Sequence, residues 1–206
     1  MIPLWSLVWA FMAPMTPALP QAPAADTDLA AGLSAARSLH GDAKRGKAMF
    51  QRNCVACHES HGFGDPFKSV PALAGQRYDY LVAQVARFAS NDRRSTPMHW
   101  ALAREHMREP QSWVDIAAYL SQLPAVRYPQ GGGNHHVQLG GQIFRAHCAA
   151  CHHADGRGGG YIPSLRGQHY SYLVDRIPKL GDAGHESFDQ TQVAAIANYL
   201  SHLPGR

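Results

Sequence analysis

The chain has 206 residues, is 45% hydrophobic, and carries a formal charge of +4 with a pI near 9.0. That length holds one large domain or two small ones, and each of two would be small for a core built from protein alone. Residues 26–124 carry 12 Lys+Arg against 10 Asp+Glu and residues 125–206 carry 7 against 5, so neither half is a basic domain; with no helix-turn-helix or RNA-binding signature, no nucleic acid partner is expected.

Residues Ile2 to Ala13 are mostly apolar, and a Pro/Ala-rich stretch comes next, ending Ala22-Pro23-Ala24-Ala25-Asp26. The Ala-x-Ala pattern predicts a signal peptide over 1–25, although Lys and Arg are absent from its start. The apolar run falls short of the roughly 20 residues a membrane span needs, and Pro14, Pro17 and Pro20 interrupt the stretch after it. No integral span is expected in the mature chain. Residues 26–41 read as a flexible N-terminal segment.

A first helix is predicted from about Lys44 to Cys57. It ends in Cys54-Val55-Ala56-Cys57-His58, and the same pattern returns at Cys148-Ala149-Ala150-Cys151-His152. The chain contains only these four cysteines. This spacing is what covalent c-type haem attachment requires. The thiols of Cys54 and Cys57, and of Cys148 and Cys151, would add to the two vinyl groups of one porphyrin each. The adjacent His58 and His152 would reach the two irons. A four-cysteine zinc site, a redox dithiol or structural disulfides are the competing readings. None of them calls for a histidine after the second cysteine, twice. Two covalently bound haem c groups are therefore expected. Haem attachment of this kind takes place outside the bacterial cytoplasm, which points independently to export, into the periplasm or to the membrane surface.

A second helix is predicted to start near Tyr78 and a third to cover Gln111 to Gln122, where Trp113, Ile116, Ala117 and Leu120 share one stripe and Pro124 marks the end. Residues 125–134, with Pro129 and Gly131-Gly132-Gly133, read as a linker. The series then repeats. Gly46, Phe50, Cys54, Cys57 and His58 recur 94 positions on, and Pro71, Leu73, Gly75, Gln76, Tyr78 and Tyr80 recur 92 positions on. Ile116-Ala117, Tyr119-Leu120-Ser121 and Leu123-Pro124 recur 80 positions on, so the second copy lacks 12 residues before its last helix, predicted over Gln190 to His202. No strand is expected. The domains are predicted as 42–124 and 135–206.

The Gly-x-x-x-Phe helix, the Cys-x-x-Cys-His, the Pro-x-Leu-x-Gly-Gln-x-Tyr loop and the final Ala-x-Tyr-Leu helix resemble class I cytochrome c. In tandem they resemble the exported dihaem cytochrome c4 family, over roughly residues 42–206. The resemblance implies an all-α fold of two tandem cytochrome c domains. It implies single-electron transfer between redox protein partners of a respiratory or oxidative chain, such as a membrane-bound oxidase, reductase or dehydrogenase. It further implies that the carbonyls of Pro71 and Pro163 accept hydrogen bonds from the proximal imidazoles, although prolines that only turn the chain are equally compatible with the sequence. No catalytic residue is assigned.

Met98, in the loop before the last helix of the first copy, stands where the family places its sixth ligand. Met107, His99 and His106 compete with it. The second copy departs from the family: the methionines are 1, 12, 15, 49, 98 and 107, and none lies beyond. Either a histidine ligates the second iron, with His185 beside the deletion as the best candidate, or the site is five-coordinate. An open or histidine-ligated second haem would also allow a haem enzyme or a gas-binding module, which is the alternative function.

Overall fold

The computed structural model describes residues 29–125, 134–183 and 187–204. Ten α-helices are seen among them. The first copy contains α1 (Leu29–Arg37), α2 (Ala43–Asn53), α3 (Val55–His58), α4 (Tyr78–Ala89), α5 (Thr96–Leu102) and α6 (Pro110–Gln122). The second contains α7 (Asn134–His147), α8 (Ala149–His152), α9 (Tyr170–Arg176) and α10 (Gln190–His202). Short 3-10 turns cover Glu105–Met107 and Ile177–Ala183. The only β pairing among the described residues is two isolated bridges, Asp65 to Val70 and Gly159 to Ile162. The fold is all-α, as expected.

In each copy the helix before the cysteines crosses the last helix, α2 on α6 and α7 on α10. Glycine makes both crossings possible. A Cβ on Gly46 would lie 1.9 Å from the Asp115 carbonyl oxygen, and one on Gly140 would lie 1.9 Å from that of Ala195. Next to each glycine an aromatic pair closes the crossing, Phe50 with Tyr119 at 5.7 Å and Phe144 with Tyr199 at 5.4 Å between ring centroids. Phe50, Leu81, Trp113, Ile116 and Leu120 are buried in the first core, and Phe144, Leu173, Ile196 and Leu200 in the second.

The first crossing has a polar lock at Asp115. The buried Asp115 carboxylate accepts from the Asp42 backbone N–H at 2.7 Å, Gln111 Nε2 at 2.8 Å and Arg45 Nε at 2.8 Å. Burial pushes its pKa up, but the Arg45 guanidinium and the Asp42 and Gln111 donors outweigh that and hold it below the ordinary carboxylate value. Asp42 also caps α2, accepting from the backbone N–H of Lys44 and Arg45. The counterpart of Asp115 in the second copy is Ala195.

Several expectations need correction. The segment expected to be flexible, residues 26–41, contains α1, which buries Gly32 and Ala36 and packs on α4 and α6. The single first helix expected from Lys44 to Cys57 breaks at Cys54, whose φ of −122° caps α2 before α3 begins. Met98 lies on α5 rather than in a loop. Asn134, counted with the linker, begins α7. The expected signal peptide, residues 126–133 of the linker, and His185 lie outside the described residues.

Candidate haem sites

The two Cys-x-x-Cys-His segments take the same shape. In each, the first cysteine ends one helix and the next three residues and the histidine form a single turn. His58 N–H donates to the Cys54 carbonyl at 2.9 Å and His152 N–H to that of Cys148 at 2.9 Å. None of the four cysteines is in a disulfide; Cys54 and Cys148 are half-buried, Cys57 and Cys151 exposed. Before haem attachment, burial first, and then the neighbouring Cys57, pushes the Cys54 pKa up to about 12, so the group that awaits the porphyrin is a thiol at neutral pH. Among the described residues no three His, Cys, Asp or Glu side chains are grouped so as to hold a metal ion. The cysteines are thus not gathered into one zinc site.

The residue after each histidine has positive φ, 59° at Glu59 and 62° at His153, and turns the chain back. Gly64 N–H then donates to the His58 carbonyl at 3.1 Å and Gly158 N–H to that of His152 at 3.0 Å. Glycine is required at both. Gly64 has φ +75° and a Cβ there would lie 2.5 Å from the Pro71 carbonyl oxygen; Gly158 has φ +61° and a Cβ would lie 2.3 Å from that of Pro163.

This return brings the proline carbonyls onto the imidazoles. His58 Nδ1 lies 3.2 Å from the Pro71 oxygen and His152 Nδ1 lies 3.1 Å from the Pro163 oxygen. A carbonyl can only accept, so Nδ1 carries the proton and Nε2 holds the lone pair. That is the tautomer a metal-ligating histidine needs. His58 is buried, and burial lowers its pKa against the raising effect of the Pro71 bond, which favours the neutral ring. The residues present therefore fit a covalently held haem in each copy: two thiols one turn apart and an oriented imidazole.

The two candidate methionines of the first copy differ in surroundings. Met107 is fully buried; its sulfur accepts from Asn53 Nδ2 at 3.6 Å and its carbonyl from the Trp113 indole at 3.0 Å. Met98 is half-buried at the edge of the same core, on α5. His99 lies on α5 with its ring 6.0 Å from that of the exposed Trp100, the two planes at 69°, and His106 in the 3-10 turn is exposed. The second copy has no counterpart of α5 among its described residues.

Between the copies lies a feature that sequence reasoning missed. Gln168 of the second copy clasps Ala72 of the first. Its Oε1 accepts from Ala72 N–H at 2.9 Å and its Nε2 donates to the Ala72 carbonyl at 3.0 Å. Gln76 does the same to Ser164, at 2.8 and 2.9 Å. Around this exchange the contacts are one-sided. His169 Nε2 lies 2.6 Å from the Phe63 carbonyl oxygen, Ser171 Oγ donates to the Pro66 carbonyl at 2.5 Å, and Arg93 bonds the Tyr172 hydroxyl at 3.1 Å. The duplicated Gly-Gln pair was the available signal.

The family model for cytochrome c matches residues 43–124 and 137–189. The chain belongs to the cytochrome c family. It is 29% identical over 200 residues to cytochrome c4 of Pseudomonas aeruginosa, covering 85% of this chain and 95% of that one. It is 27% identical over 174 residues to cytochrome c-552 of Acidithiobacillus ferridurans, covering 73% and 74% of the two chains. It is 28% identical over 179 residues to the thiosulfate dehydrogenase electron acceptor of Thiomonas intermedia, covering 74% and 79%. Among solved structures, reduced recombinant cytochrome c4 from Pseudomonas stutzeri superposes with a TM-score of 0.65 at 23% identity, covering 80% of this chain and all of that one. This cytochrome thus has two cytochrome c domains, similar to those of cytochrome c4, and two covalently bound haem c groups.

Proposed function

We propose that this cytochrome is an exported carrier that passes single electrons between redox proteins, with one haem in each of the domains 42–124 and 135–206. What carries the reading is the paired geometry: each Cys-x-x-Cys is followed by an imidazole whose Nδ1 is bonded to a proline carbonyl, at 3.2 Å and 3.1 Å. When bound, the haems supply the reversible ferric–ferrous couple. The chain supplies the rest. Cys54, Cys57, Cys148 and Cys151 hold the porphyrins, His58 and His152 are the proximal ligands, and Pro71 and Pro163 orient their rings.

Met98 is the proposed sixth ligand of the first haem. Met107 suits a core role better, being fully buried with its sulfur already accepting from Asn53. A thioether favours the ferrous state and raises the potential, as a carrier needs. For the second haem His185 is proposed on sequence alone, since no methionine lies beyond Met107. The partners proposed are a dehydrogenase on one side and a membrane-bound oxidase or reductase on the other; one relative is itself named as the electron acceptor of a thiosulfate dehydrogenase. Export accords with haem attachment outside the cytoplasm, and no described helix is long and apolar enough to cross a membrane.

The test is voltammetry of the exported holoprotein after its haem content is measured. Two haems per chain and two reversible one-electron waves are expected. A single haem, or turnover of peroxide in place of reversible waves, would overturn the carrier reading. His185→Ala should convert one haem to a high-spin, carbon monoxide-binding form; an unchanged second haem would remove His185 from the ligand set.

A further inference from the structure

The Pro71 carbonyl and the Ala72 N–H belong to one peptide group. Its oxygen accepts from His58 Nδ1 at 3.2 Å, and its N–H donates to Gln168 Oε1 at 2.9 Å. The Pro163–Ser164 peptide is used in the same way. Its oxygen accepts from His152 Nδ1 at 3.1 Å, and its N–H donates to Gln76 Oε1 at 2.8 Å. The amide orientations are fixed by their partners. Each Oε1 faces backbone N–H groups, including Arg77 N–H for Gln76 and His169 N–H for Gln168, and each Nε2 faces a carbonyl.

A peptide group that donates through its N–H is a stronger acceptor at its oxygen, because amide resonance moves electron density from nitrogen to oxygen. A stronger acceptor draws more on the imidazole Nδ1 proton and makes Nε2 a better donor to iron. Both glutamines are largely buried, at 8% exposure, so water competes little for these bonds.

We propose that each glutamine is a positioning residue for the haem of the other domain: Gln168 tunes His58 through the Pro71–Ala72 peptide, and Gln76 tunes His152 through the Pro163–Ser164 peptide. The inference rests on His58 and His152 being the proximal ligands. It gives the interface a redox role. A shift of one domain against the other changes the electron donation of both proximal histidines.

The test is crosswise. Gln168→Leu removes the acceptor from Ala72 N–H, so His58 donates less to its iron and the ferrous state gains. The reduction equilibrium of the first haem should move a few-fold toward ferrous, on the order of two- to five-fold, with the second haem nearly unchanged. Gln76→Leu should do the same to the second haem and spare the first. Nuclear magnetic resonance of the paramagnetic holoprotein assigns each effect, since the Nδ1–H proton of His58 should report Gln168→Leu and that of His152 should report Gln76→Leu. Wild-type rings without paramagnetic shifts would sink the ligand assignment itself. Shifted rings that ignore the glutamines, or variants that move both haems equally, would overturn the crosswise coupling.

Discussion

At His58 and His152 the direction of one hydrogen bond decides which ring nitrogen is left for iron, and a glycine decides whether that bond forms. Gly64 presses on the Pro71 carbonyl in a conformation that side chains rarely adopt. Gly64→Ala should therefore lower folding stability by about 1–3 kcal/mol, read as a denaturant midpoint, and loosen the His58 ring. Gly158→Ala should do the same in the second domain. The two methionines separate by a different readout. Met107→Ala leaves a cavity and should cost about 2–5 kcal/mol with the haem spectra unchanged. Met98→Ala should cost less and make the first haem high-spin and reactive toward carbon monoxide. The Cys-x-x-Cys-His motifs stand out in the sequence because their chemistry is local and their spacing is short. The role of Pro71 and Pro163 came from the family resemblance, since prolines that only turn the chain fit the sequence equally well. Gln76 and Gln168 were not legible, because each bonds a residue 88 or 96 positions away and no local pattern marks such a partner.

The helices were legible where their ends carry signals. Asp189 with Gln192 forms a capping box, and α10 starts where that box predicts and ends just before Pro204. The break between α2 and α3 was hidden because helical spacing continues across Cys54. The α1 helix was missed because its Ala- and Gly-rich sequence reads as flexible until α4 and α6 give it a surface to cover. At the crossing of α2 and α6, Asp115→Ala takes the acceptor from four N–H donors, on Asp42, Gln111 and Arg45. It should destabilise the protein by about 2–3 kcal/mol. The folded pKa of Asp115 is depressed, and this sets the sign with pH. Its stabilisation is full above the unfolded carboxylate value and is lost as pH falls through the lower folded value. An acid titration of stability should therefore be shallower in Asp115→Ala than in the wild type.

Across the whole molecule the glutamine exchange joins the domains into one unit. Four hydrogen bonds of about 1 kcal/mol each hold them, besides the one-sided contacts. Replacing both glutamines by alanine should split a single calorimetric transition into two, one for each domain. Tyr80 adds a limit on the alkaline side. Burial and the neighbouring Tyr172 raise its pKa, with Arg93 and Arg176 acting in opposition. The unfolded chain then loses this proton first, so stability should decline as pH rises above about 10, and less so in Tyr80→Phe. Two identical subunits could make the glutamine exchange just as well, each lending a side chain and receiving one, as in a two-fold symmetric dimer. In such a dimer every substitution occurs twice, once on each side of the axis. In a fused chain it occurs once. That freedom is visible here: His169 stands where the first copy has Arg77, and the halves are unlike at that position while they still trade glutamines.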